Sequence, residues 1–437
     1  MRFRLLYTYI DRWPQSRPSG LLAATPSRRS ATAFSHRPQK ERPLATLDTD
    51  SVWARLASYA AALRAQGAIR SEAIERAFAT VRRDRCVTSY HTADGVVGVP
   101  QDTIPPAEVL GRIYSDQALI THLDERGAPS SSSSQPALVA EMLEALELTP
   151  GARVLEIGTG TGYNAALLAT ITEAPVVTVE ATEAVAAEAR AALGRLGLHG
   201  LVTVMHGDGY QGWLAGAPYD RIIVTCGCTG LSPRWLAQLA PGGMVLVPLA
   251  HGGVHPIVAT WHDDAALWGR MVLWADFMAA AGPLGQGERA MVHSIPAEAE
   301  FTSHLGVGPM LDWDGYQALW CFLATRDRRV SRVATRLPWG IDAYKGMCAL
   351  HDPAAGIALI QMDGSVHVAG GPALLEEAIQ LLREWETLGR PRAHGWRCLF
   401  GETGSASTPI LTPRGWSLVD EAAEQALDDG VGDCKPL

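Results

Sequence analysis

Three glycines within ten residues carry the strongest chemical signal in this chain. The run VLEIGTGTGY, residues 154–163, reads as an apolar strand that breaks into a tight turn and opens a helix. Gly158, Gly160 and Gly162 let the backbone turn sharply and approach a ligand closely. Glu180 ends a second strand, VVTVE, and Asp208 and Gly209 stand in GDG after a third. A carboxylate at the end of the second strand suits the hydroxyls of a ribose. This is the layout of a nucleoside-binding α/β sheet. NAD-binding chains share it, so the glycines alone do not select the cofactor.

The surrounding blocks do. SQPALVAEMLEAL precedes the glycine strand, GDG follows it, and APYDRIIVT and LAPGGMVLVPL come next. In this order and spacing they resemble the protein-L-isoaspartate O-methyltransferases over roughly residues 51 to 283. The resemblance implies a class I methyltransferase fold with S-adenosyl-L-methionine as cofactor and no metal. It places Glu156, Gly158, Thr159, Gly160, Gly162, Glu180, Asp208 and Gly209 around that cofactor, with Asp208 on the adenine amino group. A helix-capping aspartate is the alternative reading of Asp208. The family's substrate loop carries Ser-x-Pro. Its counterpart here is Ser134, Gln135 and Pro136, with Ser133 alongside, and Ser134 is the expected catalytic contact to the acceptor. Two departures stand out. The VPR-type segment reads Val81, Arg82, Arg83 and lacks the proline, and the family's Gly-Gln-Thr-Ile before Ser-x-Pro is replaced.

The implied chemistry asks for positioning more than for proton transfer. An acceptor carboxylate is ionised at neutral pH, with a reference pKa near 4. It attacks a methyl group without a general base. Aligning two reactants supplies roughly 7–11 kcal/mol at best. No His/Asp or Ser/His constellation falls within the motif blocks, and His206 in VMHGD reads as structural.

The elements that must hold these residues follow from apolar periodicity. SVWARLASYAAALRAQG and SEAIERAFATVRRDRCV read as helices, the first with Trp53, Leu56, Ala60 and Leu63 on one face, the second capped by Ser71. The segment APSSSSSQP reads as a loop. Alternating strands and helices from 136 to 248, closed by HPIVATWH and ALWGRMVLWADF, predict a doubly wound, mostly parallel sheet of seven strands. Gly158, Glu180, Asp208 and Thr225 all fall at predicted strand ends, where ligands bind such sheets.

Composition sets bounds. The chain has 437 residues and a net charge of −9, which argues against a general nucleic-acid binder. No apolar run is long enough to span a bilayer. Seven cysteines without CxxC pairs, Cys226 and Cys228 among them, fit reduced thiols in a cytoplasmic protein. A monomer is expected. Residues 1–47 hold nine Lys or Arg against two acidic residues, a net of +7 that leaves −16 for the rest. They read as a disordered basic tail, with a transit peptide as the alternative.

Residues 48–285 are expected to form the methyltransferase domain and 286–425 a smaller α+β domain, followed by an acidic tail over 426–437. In the second region GMCALHD, GIALIQMDG and SVHVAGG read as a meander turning at Asp363-Gly364. PALLEEAIQLLREWETLG reads as a helix ended by Gly389 and Pro391. Its tryptophans, Trp313, Trp320, Trp339, Trp385, Trp396 and Trp416, read mainly as core. The expectation is an autonomous unit that selects the acceptor, so that a chain ending near Gly285 still binds cofactor. An added C-terminal domain also resembles enzymes that methylate aspartates in ribosomally made peptides. Two functions are therefore implied: methylation of L-isoaspartyl residues in damaged proteins, or of a normal aspartate in one dedicated peptide.

Overall fold

The computed structural model describes residues 49–262, 266–285, 292–293, 300–333, 346–405 and 407–419. The basic segment 1–47, the acidic segment 426–437 and Trp339 lie outside the described residues. Helices α1 (Thr49–Ala65) and α2 (Glu72–Thr80) open the chain, and Ser71 caps α2 by accepting from the Ile74 amide. Leu56, Ala60 and Leu63 of α1 are buried as expected, whereas Trp53 faces solvent and Val52 takes its place at the start of the stripe. A ribbon of β1 (Ser89–Thr92) and β2 (Gly95–Gly98), helix α3 (Ala107–Ile113) and a ribbon of β3 (Leu119–Leu123) and β4 (Pro129–Ser133) follow. The serine run is therefore a strand and not a loop. It lacks apolar alternation, but β3 pairs with it from Leu119–Ser133 to Leu123–Pro129.

Helix α4 (Pro136–Ala145) starts with proline in its first turn, where a missing N–H costs nothing. It leads into β5 (Val154–Ile157), α5 (Tyr163–Thr172), β6 (Val176–Glu180), α6 (Glu183–Arg195), β7 (Val202–His206), β8 (Tyr219–Val224), α7 (Pro233–Leu236), β9 (Leu239–Pro248), β10 (Ile257–His262) and β11 (Leu267–Leu273). Strands β5 to β9 run parallel and β10 and β11 return antiparallel. All four residues of β5 are buried, as a central strand covered by helices on both faces requires.

The second region contributes β12 (Val292–His293), β13 (Thr302–His304), α8 (Trp313–Arg326), β14 (Val330–Val333), β15 (Met347–Asp352), β16 (Gly356–Ile360), β17 (Val366–Gly370), α9 (Pro372–Thr387), β18 (Trp396–Ser405) and β19 (Thr408–Leu418). The expected meander is β15–β16–β17, turning at Gly364 with φ of 81°. It forms the middle of a six-stranded sheet in the order β12-β14-β15-β16-β17-β13.

The last hairpin does not join that sheet. Strand β18 pairs with β11, so the central sheet has nine strands, ordered β19-β18-β11-β10-β9-β8-β5-β6-β7. The seven expected strands are present as β5 to β11, and β18 and β19 extend their sheet, so the extension is not self-contained. The open edge of β11 is completed by a strand more than a hundred residues downstream. Gly269 of β11 leaves room for it: a Cβ there would meet Phe400 at 2.7 Å and Cys398 at 3.2 Å. The apolar cores are shared as well. Met271 and Val254 of the first region pack in one cluster with Trp320, Leu323 and Trp385 of the second. The Trp320 indole donates to the Gly252 carbonyl at 2.9 Å.

Two expectations follow from this shared core. Ending the chain at Gly285 should yield aggregated or unfolded protein, seen by size exclusion and circular dichroism; a soluble, folded product would restore the autonomous extension. Trp396 is fully buried against Phe322. Trp396→Ala should lower the unfolding free energy by about 3–5 kcal/mol in urea titrations, within a single transition that both regions share.

Candidate active site

The glycine loop between β5 and α5 is clamped on several sides. Gly158, Gly160 and Gly162 have φ of 97°, 51° and 77°, the left-handed region that favours glycine. The Thr225 hydroxyl at the end of β8 donates to the Gly158 carbonyl at 2.6 Å. The Gly160 amide donates to Glu180 Oε2 at 3.1 Å, and Thr182 donates to Oε1 at 3.1 Å. Above the loop runs β4: a Cβ on Gly160 would lie 3.1 Å from the Ser132 carbonyl. A Cβ on Gly209 would meet Ile157 at 2.7 Å, so the GDG turn also closes tightly on β5.

These parts enclose one cavity of about 510 Å³. Its walls are the serine strand, the glycine loop, residues 180–182 and 206–210, Thr225 and the segment 277–284 that follows β11. Glu180 and Asp208 bring carboxylates to it, and neither Lys nor Arg is among its lining residues. The cavity is thus electrostatically suited to a cationic ligand, and its volume falls in the range of small-molecule sites.

The predicted site residues divide into those that face the cavity and those spent on the protein. Gly158, Gly160, Gly162, Glu180, Asp208 and Gly209 gather as expected around the strand ends. Glu156 lies beneath the loop, fully buried, with Asn164 donating to Oε1 at 2.7 Å and Thr178 to Oε2 at 2.6 Å. The Thr159 hydroxyl turns inward to Thr178 at 2.7 Å. These two side chains brace the loop and do not present polar atoms to a ligand. Asp208 Oδ1 accepts from the Tyr210 amide at 2.9 Å, so the capping role is filled while the side chain remains exposed at the rim. His206 bridges the Ala181 carbonyl and Glu183, each at 3.2 Å, as a structural clasp.

On the acceptor side the four candidates separate in the same way. Ser133 Oγ accepts from Arg83 Nε at 3.1 Å and is buried. Gln135 donates to Asp116 at 3.1 Å, and Pro136 begins α4. Ser134 lines the cavity, and its hydroxyl has no hydrogen-bond partner among the described residues. Sequence reasoning misses Arg83, whose segment stands out only for its lack of a proline. It also misses the wall at 277–284 and Tyr210, whose hydroxyl donates to the Pro409 carbonyl of β19 at 2.7 Å. No described group of three or more His, Cys, Asp or Glu side chains is placed to hold a metal ion.

Burial pushes the Glu156 carboxyl up from 4.5 to about 7, opposed by the hydrogen bonds from Thr178 and Asn164 and reinforced by Glu180. The folded chain therefore keeps this proton between about pH 4.5 and 7, where the unfolded chain has lost it. Glu156 then lowers stability as pH rises through that window, by about 1.4 kcal/mol for each pH step of one. Glu156→Gln should gain stability relative to the parent across the window and hold a constant offset above it. Denaturant titrations at several pH values check this; parallel curves would refute the buried proton.

The family model described as protein-L-isoaspartate(D-aspartate) O-methyltransferase matches residues 58–272. Protein-L-isoaspartate O-methyltransferase 1 of Rhodopseudomonas palustris (strain HaA2) is 41% identical over 178 residues, which cover 38% of this chain and 69% of that one. Protein-L-isoaspartate O-methyltransferase 2 of Polaromonas sp. (strain JS666 / ATCC BAA-500) is 38% identical over 182 residues, covering 40% and 82%. A solved protein-L-isoaspartate O-methyltransferase aligns over 82% of this chain and 99% of its own at 26% identity, with a TM-score of 0.47. The chain therefore belongs to the protein-L-isoaspartate(D-aspartate) O-methyltransferase family and is a methyltransferase that uses S-adenosyl-L-methionine.

Proposed function

We propose that this chain methylates the free carboxylate of L-isoaspartyl residues in proteins or peptides. The observation that carries the reading is the cavity itself: a carboxylate-lined nucleoside cradle lies against a strand of hydroxyls. The residues fit the cofactor. The glycine loop leaves the space that a Cβ would fill, Glu180 suits the ribose hydroxyls, and Asp208 with Gly209 suits the adenine edge. S-adenosyl-L-methionine supplies an electrophilic methyl group on a positively charged sulfur. The chain's own contribution is placement. Glu180 and the Gly160 amide order the loop, the segment 277–284 limits solvent access, and Ser134 holds the acceptor carboxylate. No residue has to remove a proton, because a carboxylate near its reference pKa is already ionised at neutral pH.

A second reading is methylation of a normal aspartate in a dedicated peptide. It is favoured by exposed apolar side chains on the second region, where Leu305 and Met310 are 79% and 82% accessible. Two matched peptides, one with isoaspartate and one with aspartate, assayed for methyl transfer by mass spectrometry, separate the readings. Preferential methylation of the isoaspartyl peptide is expected, and methylation of neither would turn the search to a dedicated substrate.

Two variants test the site. Glu180→Ala should weaken S-adenosyl-L-methionine binding about ten- to hundredfold in calorimetry, the range of hydrogen bonds to a charged group. Wild-type affinity would assign the ribose elsewhere. Ser134→Ala alone should slow methyl transfer while cofactor affinity stays nearly intact, because Ser133 is buried with its oxygen anchored by Arg83. Unchanged activity would remove Ser134 from the acceptor site.

A further inference from the structure

Arg83 is fully buried yet makes no ion pair with any described residue. Its guanidinium donates to the carbonyls of Ile113 at 2.7 Å, Gln117 at 3.1 Å, Ser133 at 3.0 Å and Ser134 at 2.9 Å, and to Ser133 Oγ at 3.1 Å. It also lies 5.8 Å from the ring centre of Tyr163, the first residue of α5 after the glycine loop. A buried cation held by neutral dipoles alone is costly, and the structure tolerates it only where those dipoles converge. Two of them belong to the serine strand and its exit.

The direction of those carbonyls matters. A trans peptide points its C=O and its N–H to opposite sides. The Ser133 carbonyl faces Arg83, so the Ser134 N–H points away from it. Neither that N–H nor the Ser134 hydroxyl donates to another described residue, and Ser134 lines the cavity. A cation behind a peptide group polarises it and strengthens the donor on the far side. Among the described residues the cavity wall offers no Lys or Arg to meet an anion.

We propose that Arg83 is the positioning residue for the acceptor carboxylate: it fixes and polarises the Ser133–Ser134 peptide, so that Ser134 offers its amide and hydroxyl as a two-donor cradle. This rests on the acceptor reading above. It adds a consequence for turnover, since the cradle favours the ionised acid over the neutral methyl ester that the reaction forms.

The test compares binding of a short isoaspartyl peptide and of its methyl ester to the full chain, with S-adenosyl-L-homocysteine present to block transfer. The parent should bind the acid more tightly than the ester, and Arg83→Met should reduce that preference about tenfold while S-adenosyl-L-homocysteine affinity changes little. A purely structural role would weaken both peptides alike and leave the preference intact, which would overturn the proposal. Arg83→Lys keeps the charge but not the fork of donors, and should reduce the preference in part. If the Arg83 variants fail to fold, Ser134→Ala carries the same readout: a reduced preference supports the cradle and an unchanged one refutes it. A parent that binds neither peptide would refute the acceptor reading, and the cradle with it. A parent that prefers the acid, with variants that keep the preference, would refute the cradle alone.

Discussion

The site depends on two residues of backbone that have no side chain. At Gly158 and Gly160 the chain is approached by Thr225 from β8, by Glu180 from β6 and by the Ser132 carbonyl from β4. The two flanking strands are neighbours of β5 because the parallel sheet reverses its winding there, which opens the crevice at their carboxyl ends. The serine strand closes that crevice from above. A methyl group at Gly160 would press on this lid, and one at Gly158 would displace the Thr225 hydroxyl, at 2.6 Å. Glycine loop and serine strand therefore form one contact, and neither can shift far without the other.

Much of the central sheet was legible in the sequence because buried parallel strands read as continuous apolar runs bounded by glycine and acidic residues. The placement of Gly158, Glu180, Asp208 and Thr225 followed from strand ends alone. The unread parts are those decided by distant partners. The serine run has no apolar alternation, and only its ladder with β3 makes it a strand. Nothing local distinguishes Ser133 from Ser134; the difference is one guanidinium fifty residues away. Charged residues are expected at the surface, so Arg83 gave no sign that it would be enclosed by carbonyls. Glu156 carried the opposite signal, a charge inside an apolar strand, yet its partners Asn164 and Thr178 emerge only once helix and strand are side by side.

The tryptophans of the second region behave mainly as core. Trp320, Trp385 and Trp396 are all buried, and Trp320 reaches across to the Gly252 carbonyl. They explain why the two regions share an apolar cluster. The same region reaches the cavity wall through β19, whose Pro409 carbonyl takes the Tyr210 hydroxyl and whose Leu411 exchanges two backbone hydrogen bonds with Leu231. Tyr210 stands one residue from Gly209, so β19 braces the turn at 207–209 that lines the cavity.

Because β18 and β19 return to the first sheet, the six-stranded lobe is an insertion in that sheet's sequence and not an appendage to it. Synthesis from the N-terminus makes β11 well before its partner β18. Until residues near 400 emerge, the outer edge of β11 presents unpaired amides and carbonyls while the lobe is still being made. An open strand edge of this kind is a template for pairing with another chain. Pro409 and Pro413 then sit in β19, the outermost strand, where residues lacking an N–H discourage further pairing on either side of the Leu411 bridge to Leu231. The order of synthesis thus leaves the sheet exposed for longest at the edge it shares with its own C-terminal hairpin, and the hairpin that closes this edge carries its own guard against continuing it.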